Sequence, residues 1–373
     1  MRRKNVLEAY DQGLKPVILL YHTADTSTFR YRCYNLWQAT SLSIKWRSVY
    51  FFIDELSDLV QLLPFCSILV FSRLKWEYEL DEVVERAHSL RIPILFDIDD
   101  LVCDTGMIRL IANTLNVPLD GEENYNYWFA YTSRLEFCAK LADGFITTNA
   151  FLGNRLSEKF GKPYQIIVNS LNQEQLEISE RCRDRKAKQS SMHPFCIGYF
   201  SGTPSHINDF RIVHQELMQL LLDYPEMELR VVGFMNFPAS MKTLIDQGRV
   251  KFTSLVDFME LQRHIAEVDV NIVPLVQNIF TNCKSELKFF EAAIVDTPTI
   301  ASPIFAYENV IINAQNGFLC EPGLWYDAIK KLYNKPNLCR MVATSAREYC
   351  LQHYSGNYFL QQIEAAYDYF NNR

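Results

Sequence analysis

The chain has 373 residues, 49% of them hydrophobic and 22% charged, which excludes a disordered chain, a collagen and a coiled coil. At roughly 150 residues per domain the length points to two domains, each large enough for its own core. With 37 basic and 44 acidic side chains the formal charge is −7, so wholesale binding to nucleic acid or an anionic membrane is not expected. The 13 glycines amount to about half the usual share of about 7%, so a glycine in a loop carries more information than usual. Ten cysteines include no C-x-x-C pair and no Cys/His zinc spacing, which suggests a reducing, cytoplasmic setting without disulfides. The apolar stretch behind the basic start, residues 17–21, is too short for a signal peptide or a membrane span. Arg2, Arg3 and Lys4, at about 1 kcal/mol each, would give only a weak peripheral contact with the inner face of a membrane.

Taken in chain order, residues 17–22, 49–53, 67–72, 92–98, 144–148 and 166–169 read as short buried strands. Between them, 31–43, 77–90 and 124–141 have helical length and mixed polarity. Residues 174–193 change character: the run E-R-C-R-D-R-K-A-K at 180–188 reads as a solvated helix end entering a linker. The alternation then restarts, with strands at 195–200, 229–233, 250–252, 270–274, 299–301 and 317–320. Helices are expected at 207–222, 258–266, 285–295 and 324–334, and from about 338 to the end. Continuous apolar strands alternating with helices indicate parallel sheets covered on both faces. The fold class is therefore α/β, with two doubly wound Rossmann-like domains. The divisions are a first domain at 1–180, a second at 194–352, and a final helix at 353–373 returning toward the first domain.

The segment richest in chemistry is 282–303, N-C-K-S-E-L-K-F-F-E-A-A-I-V-D-T-P-T-I-A-S-P. On a helix from Ser285, Leu287, Phe290 and Ile294 share an apolar face, and Lys288 and Glu291 share a neighbouring stripe. A helix N-terminus supplemented by Lys284 and Lys288 suits a pyrophosphate, and an ionised Glu291 could accept both hydroxyls of a ribose. The competing reading is a surface Lys288–Glu291 pair worth about 0.2–0.5 kcal/mol.

This string resembles the donor-site helix of family 4 glycosyltransferases of the GT-B fold. I-G-Y-F-S-G-T-P-S-H-I-N-D-F at 197–210, V-D-V-N-I-V-P-L at 268–275, and Asn316-Gly317-Phe318-Leu319 with Trp325 resemble other parts of the same C-terminal domain, in the expected order. F-R-Y-R-C-Y-N-L at 29–36, F-D-I-D-D-L at 96–101 and A-D-G-F-I-T-T-N at 142–149 resemble bacterial members acting on surface polysaccharides. The resemblance implies that Glu291 binds the ribose, that Lys288 lies near the diphosphate, and that Ser201, Gly202 and Thr203 face the phosphates. Lys284, Ser285 and Glu286 complete the expected donor site. One departure stands out: the family's donor-sugar glutamate, eight residues before Glu291, is Cys283 here.

Asp97, Asp99, Asp100 and Asp104 admit two other readings. F-D-I-D-D-L-V-C-D-T resembles the first motif of haloacid-dehalogenase phosphatases, with Asp97 as nucleophile and Asp99 as acid/base. Asp97-Ile98-Asp99 also matches the D-x-D that holds a manganese–nucleotide pair in GT-A transferases. On the GT-B reading, Asp99 or Asp100 orients the acceptor hydroxyl, and Arg32, after the first strand, offers a fork to the diphosphate. Asp99, Asp100 and Arg32 are thus the catalytic candidates. Arg30 is a further candidate for the diphosphate. His22 reads as a structural histidine, and Tyr125–Trp128 as core packing rather than a sugar platform.

The sequence thus predicts a metal-independent glycosyltransferase without a cofactor, and the resemblance implies retention of anomeric configuration. Its donor is a nucleotide-diphosphate sugar and its acceptor a saccharide or lipid-linked saccharide. A GT-B shell that binds a nucleotide sugar without transfer is the remaining alternative, favoured by Cys283.

Overall fold

The computed structural model describes residues 2–23, 26–119, 121–188, 193–202 and 206–373. The expected apolar runs form strands within a few residues, except 166–169, which meets its strand only at Ile166. The first six are β1 (Lys15–Tyr21), β2 (Trp46–Phe52), β3 (Ile68–Ser72), β4 (Ile94–Ile98), β5 (Gly144–Thr147) and β6 (Tyr164–Ile166). They make one parallel sheet of order β2-β1-β3-β4-β5-β6. The second six are β7 (Phe195–Ser201), β8 (Met227–Gly233), β9 (Val250–Thr253), β10 (Val270–Val273), β11 (Thr299–Ala301) and β12 (Phe318–Leu319). Their sheet is also parallel, of order β12-β11-β10-β7-β8-β9. Strand order reverses between β1 and β3 in one sheet and between β7 and β10 in the other. Open parallel sheets collect ligands at the carboxyl ends of strands beside such reversals.

Residues 180–188 form the end of the helix Gln173–Lys188, with Glu180, Arg181, Asp184, Arg185 and Lys188 exposed as expected, but one face of that helix is packed. Ile178 and Cys182 of that helix are buried with Ile265 and Ala266 of the second half. The Lys186 ammonium donates to the carbonyls of Val268 and Asp296, both at 3.1 Å. The aromatic cluster on the helix Glu122–Leu141 is not core: Tyr127 is 64% and Phe129 45% exposed.

The last helix, Gly356–Asn371, lies on the first sheet. Phe359, Ile363, Tyr367 and Phe370 pack with Val17, Leu19, Leu95 and Ile146. Its seat requires Gly144, where a Cβ would stand 2.3 Å from the Phe370 ring. The chain thus passes between the halves twice, before and after the second sheet. At the two crossings the Leu171 amide donates to the Tyr354 carbonyl at 2.9 Å.

Gly233, at the end of β8, has φ +112°, and a Cβ there would lie 1.7 Å from the Ser201 carbonyl oxygen. The close approach lets the Phe234 amide donate to that oxygen at 3.1 Å, pinning the tip of β7. Gly233→Ala should therefore destabilise the protein by about 1–3 kcal/mol, read from urea unfolding. An unchanged midpoint would show that the strand tips are not held this way.

Candidate functional site

The segment after β1 sets the geometry. The Thr26 side chain accepts from the Phe29 amide at 3.0 Å and starts the helix Ser27–Phe29. The chain then widens into a π-turn over Arg30–Tyr34 before the helix Asn35–Thr40. Such turns re-aim consecutive side chains and recur at functional sites. Here Arg32 turns into the first half, whereas Arg30 and Tyr31 reach the second.

Arg32 is fully buried. Its Nε and Nη2 donate to the two carboxylate oxygens of Asp97 at 2.7 and 2.9 Å, and its Nη1 donates to the Ile167 carbonyl at 2.7 Å. Arg32 is thus not placed to meet a diphosphate, which corrects its assignment as a catalytic candidate. The same fork removes Asp97 from chemistry. A buried carboxylate with both oxygens on a guanidinium is neither a nucleophile nor an open metal ligand, so the phosphatase and D-x-D readings both lose their first aspartate. Among the described residues, no group of three or more His, Cys, Asp or Glu side chains converges as metal ligands would.

Of the two aspartates just past β4, Asp100 meets the other half and Asp99 stands beside it. Arg73 Nη1 donates to Asp99 at 3.0 Å and to Asp100 at 3.4 Å. The Lys284 ammonium of the second half lies 3.7 Å from Asp100. Arg73 takes φ +44° directly after β3, a strained position for arginine that puts its guanidinium at the β1/β3 reversal. Sequence reading passed over Arg73. Its only local signal is a basic side chain at the end of a buried strand.

On the second half the donor helix is shorter than expected. It runs over Leu287–Ala293, seven residues, and no side chain caps it. The positive character of the site therefore rests on Lys284 and Lys288 more than on a helix dipole. Asn271 of β10 donates to the Lys288 carbonyl at 3.1 Å and holds this helix to the sheet. Burial and the neighbouring Lys284 lower the Lys288 pKa to about 8. Ser201, buried at the tip of β7, and the exposed Gly202 stand at the β7/β10 reversal. Thr203 lies outside the described residues.

The three residues before the helix are gripped from three directions. Asn149, just past β5, donates to the Lys284 carbonyl at 2.9 Å. Asn169, just past β6, donates to Ser285 Oγ at 2.9 Å and accepts from Arg32 Nη1 at 3.1 Å. The Tyr354 hydroxyl donates to Glu286 at 2.7 Å. Glu286 is buried, and burial raises its pKa, so it turns toward Tyr354 rather than toward a donor. Cys283 is fully buried and packs with Phe280 among the core residues of the first half, where desolvation pushes its thiol pKa up.

Glu291 is 4% exposed and sits between the halves. The Tyr31 hydroxyl donates to its Oε1, and the Arg30 guanidinium lies 3.7 Å from the same oxygen. Burial raises the Glu291 pKa, while Arg30 opposes the shift. His22 is a structural residue: its Nε2 accepts from the Lys75 amide at 2.8 Å, and burial lowers its pKa to about 4. The structure thus gathers Asp99, Asp100 and Lys284 on one side of the junction and Glu291 with Lys288 on the other. It withdraws Arg32 and Glu286.

Residues 195–335 match the family model described as Glycosyl transferases group 1. A comparison with curated protein sequences gives no match. Among solved structures, Alr3699/HepE of Anabaena in complex with UDP and glucose is similar at a TM-score of 0.64 and 13% identity, over 95% of this chain and 100% of that one. Sucrose-phosphate synthase from Thermosynechococcus elongatus gives 0.59 and 16% identity, over 95% and 98%. A glycosyltransferase from Rickettsia africae gives 0.63 and 11%, over 96% and 98%. These likenesses show the fold, which is GT-B.

If Arg32 is structural, Arg32→Met should leave the Asp97 carboxylate buried and unpaired and cost about 3–5 kcal/mol of stability. Thermal unfolding measures this. A variant that keeps its melting temperature but loses activity would return Arg32 to the catalytic site.

Proposed function

We propose that the protein is a glycosyltransferase that moves a sugar from a nucleotide-diphosphate sugar to a saccharide or lipid-linked saccharide. The observation that carries this reading is Lys284, Lys288 and Glu291 on one segment at the β10 and β11 end of the second sheet, inside the part that matches the family model. The solved neighbours held with UDP or UDP-glucose make uridine the first base to test.

On this reading Glu291 accepts the ribose hydroxyls through its two oxygens. Lys284 and Lys288 neutralise the charge that grows on the departing diphosphate, the largest contribution an enzyme of this kind makes. Both act in a site where closing the halves excludes water and strengthens each charge. Asp99 and Asp100, held by Arg73, orient the acceptor hydroxyl across the junction. Transfer proceeds with retention and without a metal, as in the family 4 members that act on bacterial surface polysaccharides. The second reading, a GT-B protein that binds a nucleotide sugar without transferring it, draws on Cys283. A buried thiol stands where the family holds the donor sugar, so sugar contacts must come from elsewhere.

Glu291→Ala should weaken UDP binding about 10- to 100-fold, since charge-assisted hydrogen bonds contribute about 1.5–3 kcal/mol. Calorimetric titration measures it, and wild-type affinity would remove Glu291 from the site. Binding should also fall as pH rises past about 8, because the Lys288 ammonium is the attracting form and loses its proton there. Lys288→Arg, charged throughout, should flatten that decline between about pH 7 and 9.5. Sugar transfer that persists in EDTA supports the metal-independent mechanism, and transfer that stops would refute it.

A further inference from the structure

The nucleotide reading of Glu291 meets an obstacle in the structure itself: the carboxylate is already occupied. Tyr31, 1% exposed, donates its hydroxyl to Glu291 Oε1 from the opposite half. Its ring meets Phe290 edge-on, with centroids 6.0 Å apart. Beside it, the Arg30 guanidinium lies 4.6 Å from the Tyr31 ring and 4.3 Å from that of Phe258, a residue of the second half. Arg30 and Tyr31 therefore cover Oε1 of Glu291. A ribose hydroxyl can bond that oxygen only by displacing the Tyr31 hydroxyl.

We propose that Tyr31 is a specificity-determining residue of the nucleotide site: its hydroxyl caps the Glu291 carboxylate and must be displaced by the hydroxyls of an intact ribose. The proposal rests on the reading of Glu291 as the ribose ligand. The physical argument is exchange. A carboxylate taken out of water needs a donor whether or not nucleotide is present. Tyr31 supplies one while the site is empty, so a ribose, which brings two hydroxyls, gives back the worth of the Tyr31 bond it displaces and gains less than it would at an uncapped carboxylate. A nucleotide without ribose hydroxyls leaves the Tyr31 bond in place. Tyr31 thus lowers affinity for the natural sugar and ties nucleotide entry to movement of the first half.

The test is calorimetric titration of wild type and Tyr31→Phe with UDP and with 2′,3′-dideoxyuridine diphosphate. The phenylalanine keeps the ring contacts and removes only the donor. UDP should bind the variant about 3- to 10-fold more tightly, while the dideoxy nucleotide changes by less than about twofold. UDP binding that is unchanged or weaker in the variant would overturn the proposal, as would an equal shift for both ligands. Failure of the wild type to bind either uridine or guanosine diphosphate would instead overturn the nucleotide reading, and this inference with it.

Discussion

The buried fork between Arg32 and Asp97 organises what surrounds it. A fully buried guanidinium is tolerable only when its donors are met, and here Asp97, Ile167 and Asn169 meet them. Fixing Arg32 fixes the π-turn, so the two preceding side chains point outward to the second half. Through Asn169 the same fork reaches Ser285, next to the donor helix. One ion pair in the first half thus sets the position of two features on the second, the cover over Glu291 and the lead-in to the donor helix.

The parallel-sheet architecture was legible because its signal is local. Runs such as Val17–Leu20 and Ile68–Phe71 are apolar on both faces, which is what a strand covered by helices on both sides requires. Lys284, Lys288 and Glu291 stood out for a different reason: their spacing on one segment resembles a family pattern. Arg32 misled because an arginine after the first strand looks the same whether it faces a diphosphate or an aspartate 65 residues away. Glu286 misled likewise, since its partner Tyr354 lies 68 residues on. Tyr31, Arg73, Asn149 and Asn169 gave no periodic signal at all. The roles of Tyr31, Asn149 and Asn169 arise from contacts between the halves, and that of Arg73 from Asp99 and Asp100, 26 and 27 residues on.

Cys283 shows how a substitution in a motif can be read through packing. The position sits with Phe280 in the apolar core of the first half, although it belongs to the second half by sequence. A glutamate there would be a desolvated charge, costly to hold unless Arg155, whose charge acts on this position, paired with it. The residue is thus part of the joint between the halves.

The two crossings between the halves lie side by side, stapled by the Leu171–Tyr354 backbone bond, while Tyr31 and Glu291 touch at the junction. A body joined to another by two neighbouring strands of chain swings like a door on one post. Rotation about the 171/354 region would part Tyr31 from Glu291 and leave the stapled edge nearly still. A single flexible linker would let the halves drift in any direction. A doubled connection removes some of those directions, which favours one register of the halves over others.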